Sequence, residues 1–329
     1  MQANRPVGLR ECGDGLLSRR NFRTNRSEAV LRPPHRDVLS SRVMENGVTA
    51  VLLLSCDDQK GLVAAVSDFL FRHDGNIVHA DQHTDHEEGV FLQRVEWQLD
   101  GFGVPREGIA DAFRPIADRF KMTWSLRFSD EVPRVAILVS KLQHCMYDIL
   151  ARWRLGELHA EIPVVISNHR DASSIVEGFG VAYRHLPVTA ETKATQERQI
   201  IAELEAQRID LVIMARYMQV LSDEVVRRYP NRIINIHHSF LPAFAGARPY
   251  HQAHERGVKI IGATAHYATP QLDQGPIIDQ DVVRVSHRDS VADLVRKGSD
   301  LEKVVLARAV DLHLRNRVLV YGNKTVVFD

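Results

Sequence analysis

Between residues 134 and 236, short apolar runs alternate with helix-patterned stretches. No other feature constrains the fold of this 329-residue chain so tightly. The runs at 134–140, 162–167, 181–186, 210–215 and 233–236 are rich in Val, Ile and Leu, as strands buried on both faces require. Helical patterning fills the gaps at 145–155, shortly after 167, at 191–207 and at 222–229, the last with Ser222 placed as an N-cap. Parallel strands need crossover connections, so the pattern predicts a Rossmann-like, mostly parallel sheet with helices on both faces. Ligands of such sheets sit at the carboxyl ends of the strands. A last helix and a hairpin over 319–328, turning at Gly322-Asn323, complete a region assigned to 133–329.

Ahead of this region, residues 49–128 follow another rhythm, with boundaries set at 48–129 and a polar linker at 129–133. Runs at 49–55, 77–81, 90–99 and 122–128 read as strands, and 62–72 and 109–120 as helices. Pro115 is expected to shorten or bend the second helix. The order βαββαβ is ferredoxin-like. Asp58-Gln59-Lys60-Gly61-Leu62 at the first strand–helix turn and Gly75-Asn76-Ile77 at the second strand resemble an ACT domain, a small-ligand regulatory module. A glycine at such a turn lets backbone amides face an anionic ligand. The resemblance implies that Asp58, Gly61 and Asn76 hold an amino-acid effector. It also implies pairing into a homo-oligomer, because a lone four-stranded sheet leaves exposed edges, with the effector pocket at the subunit boundary.

Residues 1–47 hold nine arginines and Pro33-Pro34 with no sustained apolar period, which predicts a disordered extension. Arginine with serine suggests organellar import, but Glu11, Asp14, Glu28, Asp37 and Glu45 argue against a transit peptide. A true start at Met44 explains the segment equally well. Forty-two basic and 42 acidic residues cancel, which removes the usual electrostatic footprint of nucleic-acid binding. Cys12, Cys56 and Cys145 offer neither a disulfide framework nor zinc-ligand spacing. No apolar run approaches the ~18 residues that cross a bilayer. A cytoplasmic protein that engages neither membrane nor nucleic acid is expected.

The densest chemical signal is Asn235-Ile236-His237-His238-Ser239-Phe240-Leu241-Pro242, followed by Gln271-Leu272-Asp273-Gln274-Gly275-Pro276. On a strand of period two, Asn235 and His237 point to one side. The amide can donate to a developing oxyanion and the imidazole can move a proton. Asp273, on a loop stopped by Gly275-Pro276, can orient the imidazole. By the same alternation His238 faces away from His237 and takes a structural role. The paired motifs resemble the folate-dependent formyltransferase family, over residues 134–320, and are highly specific in this order and spacing. The resemblance implies Asn235, His237 and Asp273 as the catalytic set, and Met218, Leu221 and Gln271 as substrate-binding positions, with 218–222 holding the pterin by backbone contacts.

Where transferases of that family carry proline after the histidine, this chain has His238. His237-His238, the ACT-like stretch, and Ser140-Lys141-x-x-His144-Cys145 after the first sheet strand look like the deformylase branch. The turn 140–144 also lacks the glycines that cradle a phosphorylated acceptor. The resemblance therefore implies hydrolysis of 10-formyltetrahydrofolate to tetrahydrofolate and formate, with water as acceptor and neither metal nor cofactor. A formyltransferase to a small amine, a non-catalytic folate or amino-acid sensor, and a histidine metallohydrolase are the alternatives. His79, His83 and His86, with Asp81 and Asp85, have some look of a metal site but read as a polar strand and turn. His251 and His254 read as helix-surface residues.

Overall fold

The computed structural model describes residues 47–242 and 249–328. Residues 1–46, which hold nearly all of the expected extension and the alternative start at Met44, lie outside the described residues.

The first half contains β1 (Thr49–Asp57), α1 (Leu62–Arg72), β2 (Ile77–Asp85), β3 (Val90–Gln98), α2 (Ile109–Arg119) and β4 (Thr123–Phe128). The strands pair antiparallel in the order β2-β3-β1-β4, the ferredoxin-like arrangement expected. Period two on β1 sends Ala50, Leu52, Leu54 and Cys56 to the helical side, where they bury with Val66, Phe69, Phe113 and Trp97. Each large side chain so buried contributes about 1.5–3 kcal/mol. Pro115 does not end α2, which continues through it to Arg119 because Phe113 and Ala117 stay buried in this core. Gly61, with φ of +93°, makes the turn into α1 and is the one residue type that adopts this conformation without strain.

The expected effector positions stand at opposite ends of the sheet within one chain. β2 runs parallel to β1, since both pair antiparallel with β3. Asn76, before β2, therefore lies level with Thr49 at the start of β1, whereas Asp58 and Gly61 follow its far end. Nine residues of strand span about 30 Å. Within one chain the three residues do not share a pocket, and the Asn76 amide is spent on Gln98 Oε1 at 2.8 Å.

The second half contains β5 (Arg134–Val139), α3 (His144–Arg154), β6 (Glu161–Ser167), α4 (Ser173–Gly178), β7 (Ala182–His185), α5 (Lys193–Ala206), β8 (Leu211–Met214), α6 (Asp223–Arg228) and β9 (Ile233–His237). Then come α7 (Pro249–Arg256), β10 (Ile260–Tyr267), β11 (Ile277–Arg284), α8 (Val291–Leu314) and the hairpin β12 (Val318–Tyr321)–β13 (Lys324–Val327). The seven-stranded sheet runs β11-β10-β9-β8-β5-β6-β7. Strands β5 to β9 are mutually parallel, and β10 and β11 add an antiparallel flank. Apolar clusters cover both faces, one around α3 and α8 and the other around α5 and α6. Ser222 stands at the N-cap of α6, but its side chain makes no cap bond; its backbone N–H donates instead to Glu197 Oε1 at 3.0 Å. None of the described helices is long and apolar enough to cross a membrane.

The α8 helix ends on a pair, Tyr267 buried and His313 half-buried, in which the Tyr267 hydroxyl meets His313 Nδ1 at 2.7 Å. Burial pushes His313 down to about 4 and Tyr267 upward, so both stay neutral. A histidine in the unfolded chain titrates near ~6.5. Between that pH and about 4 the unfolded chain binds a proton that the fold rejects, so stability is lost as pH falls through this window. His313→Gln should lower the melting temperature at pH 8 yet flatten part of its acid decline. An unaltered pH dependence of melting would contradict this.

Candidate active site

Asn235 and His237 end β9 on the face where β10 places His266 and Thr264 in register, His266 opposite Asn235 and Thr264 opposite His237. The loop between β10 and β11 folds back over this face and brings Asp273 Oδ2 to 3.2 Å from His237 Nδ1 and Oδ1 to 3.6 Å from His266 Nε2. Asn235 Nδ2 lies 3.1 Å from His266 Nε2. All three expected catalytic residues thus meet, with His266 as an unforeseen fourth.

Two features hold the loop. Asp273 has a positive φ of 54°, which aspartate adopts more readily than most residues. Gly275 packs so closely under β10 that a Cβ there would lie 1.7 Å from the Tyr267 carbonyl oxygen.

The hydrogen bonds fix the tautomers. His266 Nδ1 lies 3.0 Å from the Tyr267 carbonyl, which can only accept, so in the neutral ring Nε2 accepts from the Asn235 amide. One of the two amide hydrogens of Asn235 remains for a ligand. His237 Nδ1 donates to the Asp273 carboxylate, leaving the lone pair on Nε2, a buried atom with no hydrogen-bond partner among the described residues. The hydrogen bond from His237 above all holds the Asp273 carboxyl well below the usual carboxylate range despite its burial. It stays an anion and a poor base.

His238 departs from expectation. The strand ends at His237, so strict alternation ends too, and the two rings lie 5.0 Å apart with planes at 34°. The His238 ring also sits 6.2 Å from that of Tyr250. Burial first, then Arg216 and His237, push His238 down to about 4, so it is neutral at pH 7.

Behind this pair stands a buried carboxylate that sequence reading missed. Glu302 of α8 is 1% exposed. Its Oε1 accepts from Tyr250 at 2.7 Å, and its Oε2 meets His144 Nε2 at 2.7 Å and Arg216 Nε at 3.5 Å. Desolvation raises its pKa, but His144 and Arg216 outweigh that and the carboxyl stays below its ordinary value. Gly298 makes room for Tyr250, since a Cβ there would lie 2.1 Å from the phenol oxygen. Among the described residues, His144, Cys145 and Glu302 are the one group of such side chains close enough to share a metal ion. The donor set fits one poorly. Burial and then Glu302 raise the Cys145 thiol well above its usual range, and Arg216 already brings a cation to the carboxylate. His79, His83 and His86 form no such group among the described residues, and His251 and His254 are exposed.

The expected substrate positions divide. Met218 is exposed and its N–H donates to Ser140 Oγ at 3.0 Å. Gln271 is exposed on the Asp273 loop, its carbonyl accepting from Thr269. The Leu221 side chain is buried in the core beside Tyr217 and Val225, which leaves its backbone, the part the resemblance assigns to the pterin, as what it can offer a ligand. Leu142, Met218, Val220 and Phe240 are exposed on the loops that follow β5, β8 and β9, and Leu272 on the Asp273 loop. A cavity of about 1540 Å³ lies at the opposite, amino ends of β5, β8 and β9, near Pro133, Asp210 and Arg232. It contains none of these groups.

The ACT domain family matches residues 50–118 and the formyl transferase family residues 133–310. A formyltetrahydrofolate deformylase of Synechocystis is 60% identical over 285 residues, which is 87% of this chain and 100% of the relative. The chain belongs to the formyltetrahydrofolate deformylase family. The Bacillus subtilis deformylase is 49% identical, over 84% of this chain and 93% of its own. A crystal structure of a Pseudomonas syringae deformylase superposes with a TM-score of 0.85 at 46% identity, covering 90% of this chain and 99% of that one. The deformylase architecture is therefore the ferredoxin-like ACT module followed by the formyltransferase-type mixed sheet, as expected from the two motifs and the strand pattern.

Proposed function

We propose that this protein hydrolyses 10-formyltetrahydrofolate to tetrahydrofolate and formate, using Asn235, His237 and Asp273 and no metal ion or cofactor. The observation that carries the reading is the bare Nε2 of His237, its other nitrogen tied to Asp273, beside an amide with one hydrogen to spare. Water attacks the formyl carbon while His237 Nε2 takes its proton. The oxyanion that forms accepts from Asn235 Nδ2, and Asp273 stabilises the imidazolium. The imidazolium then returns a proton to N10 as the carbon–nitrogen bond breaks, releasing tetrahydrofolate and formate. The exposed apolar side chains on the adjoining loops suit the flat ring system of a folate.

Water rather than an amine as acceptor is supported by Glu302. Its oxygens are committed to Tyr250, His144 and Arg216, which leaves no carboxylate in that cluster to hold an incoming ammonium group. Purified protein given 10-formyltetrahydrofolate alone should release formate. Added small amines should neither speed the reaction nor become formylated, and dialysis against a strong chelator should leave the rate unchanged. Formate appearing only with an amine, or activity lost to chelation and restored by zinc or iron, would overturn the respective half of the reading.

We also propose a cytoplasmic homo-oligomer that responds to a small amino acid. A pocket that uses Asp58, Gly61 and Asn76 needs two copies of the chain, given their separation along the sheet. Sedimentation as a monomer, with no rate response to any amino acid, would refute this.

A further inference from the structure

The hairpin β12–β13 belongs to neither large sheet, yet it touches both halves of the molecule. On one side Leu319, Tyr321 and Val326 pack with Phe328 against Leu53 and Leu92 of the ferredoxin-like sheet. The Tyr321 hydroxyl and Lys324 Nζ both reach Asp85 Oδ2, each at 3.0 Å. Asp85 closes the β2–β3 turn, where its Oδ1 accepts from the backbone N–H groups of Glu87 and Glu88. Arg94 of β3 donates to the Asn316 carbonyl at 3.0 Å, just before the hairpin. On the other side, Asn323 at the hairpin tip donates from Nδ2 to the Gln274 carbonyl at 2.9 Å, and Thr325 Oγ1 donates to the Ile277 carbonyl. Gln274 directly follows Asp273.

We infer that Asn323 is a positioning residue for Asp273, and that the hairpin ties the loop carrying this carboxylate to the β2–β3 turn of the regulatory module. The loop has few other tethers. Asp273 is held by the His237 it orients, Gly275-Pro276 is fixed by close packing under Tyr267 and by the Tyr267 N–H donating to the Pro276 carbonyl at 2.9 Å, and Gln271 is bonded only locally to Thr269 and Gln274. Between these points, the Asn323 bond sets the height of the backbone at Gln274. A shift of the β2–β3 turn moves Tyr321 and Lys324, and through them the tip that holds this carbonyl. Any rearrangement of the regulatory module therefore has a bonded route to the distant His237–Asp273 pair.

The inference rests on the catalytic reading of Asp273, and the test separates the two. Asp273→Asn alone tests the reading: an undiminished rate would remove the reading, whatever Asn323 does. Asn323→Ala tests the inference. It should lower kcat roughly three- to tenfold with KM within about twofold, and it should have no further effect in the Asp273→Asn background, because its action passes through that carboxylate. Asp85→Asn, which keeps the turn's acceptor but weakens the pull on Lys324, should give a smaller kcat loss that disappears in the Asn323→Ala background. Asn323 is exposed at a hairpin tip, so folding should be preserved. An unchanged kcat in Asn323→Ala, or an equal proportional loss with and without Asp273, would overturn the inference.

Discussion

His237→Ala should lower turnover of 10-formyltetrahydrofolate by roughly a hundredfold or more while the protein keeps its melting temperature within a few degrees. The ring is buried, but its bonding is almost wholly functional: one nitrogen on Asp273, the other unpartnered among the described residues. A histidine kept for packing or stability alone would be expected to satisfy both nitrogens. The loss should appear mainly in kcat, since the ring acts on the proton in flight rather than on the bound folate. Adding Asp273→Ala to His237→Ala should cost little more, because the carboxylate acts through the imidazole. Steady-state kinetics on the two single variants and the double variant measure this. Full activity in a soluble His237→Ala protein would remove the mechanism.

Gly275→Ala is expected to do comparable damage from outside the reacting groups. A methyl group 1.7 Å from the Tyr267 carbonyl oxygen cannot be absorbed by a rotamer change, since the obstruction is the backbone at the end of β10. The loop must lift, and Asp273 moves with it. A carboxylate 3.2 Å from an imidazole nitrogen loses its hydrogen bond with a displacement of well under an ångström. Turnover should fall on the order of a hundredfold, while the ferredoxin-like module, which this loop does not build, keeps its fold. A Gly275→Ala protein with near-normal kcat would show that the loop position is not critical.

Much of this architecture was legible because its signals are local. The βα rhythm of 134–236 specifies a parallel sheet through strand burial and crossover length, and Asn235 and His237 come together through strand period alone. Asp273 was reachable only because a second motif lay at a telling distance from the first. What stayed hidden depends on long-range pairing. β10 reads Ile-Ile-Gly-Ala-Thr-Ala-His-Tyr, whose small residues carry little strand signal, so its pairing with β9 and the placing of His266 beside Asn235 were missed. Its alternation, with Ala263, Ala265 and Tyr267 in the core and Thr264 and His266 on the other face, was the available clue. Glu302 lies in a helix whose pattern is otherwise apolar and charged in the usual way; only the convergence of His144, Arg216 and Tyr250 from three separate elements reveals it. That Asp58 and Gly61 stand at the opposite end of one sheet from Asn76, as a pocket at a subunit boundary allows, becomes visible only once β2 is known to run parallel to β1.

The central claim is that water, activated by His237, is the acceptor of the formyl group. Turnover in ¹⁸O-enriched water, with mass analysis of the product, tests it most directly. Hydrolysis predicts formate carrying one solvent oxygen, in equal amount to the tetrahydrofolate formed, and the same labelled product at a far lower rate from His237→Ala. Tetrahydrofolate released without labelled formate, its formyl carbon found on an amine instead, would contradict the account.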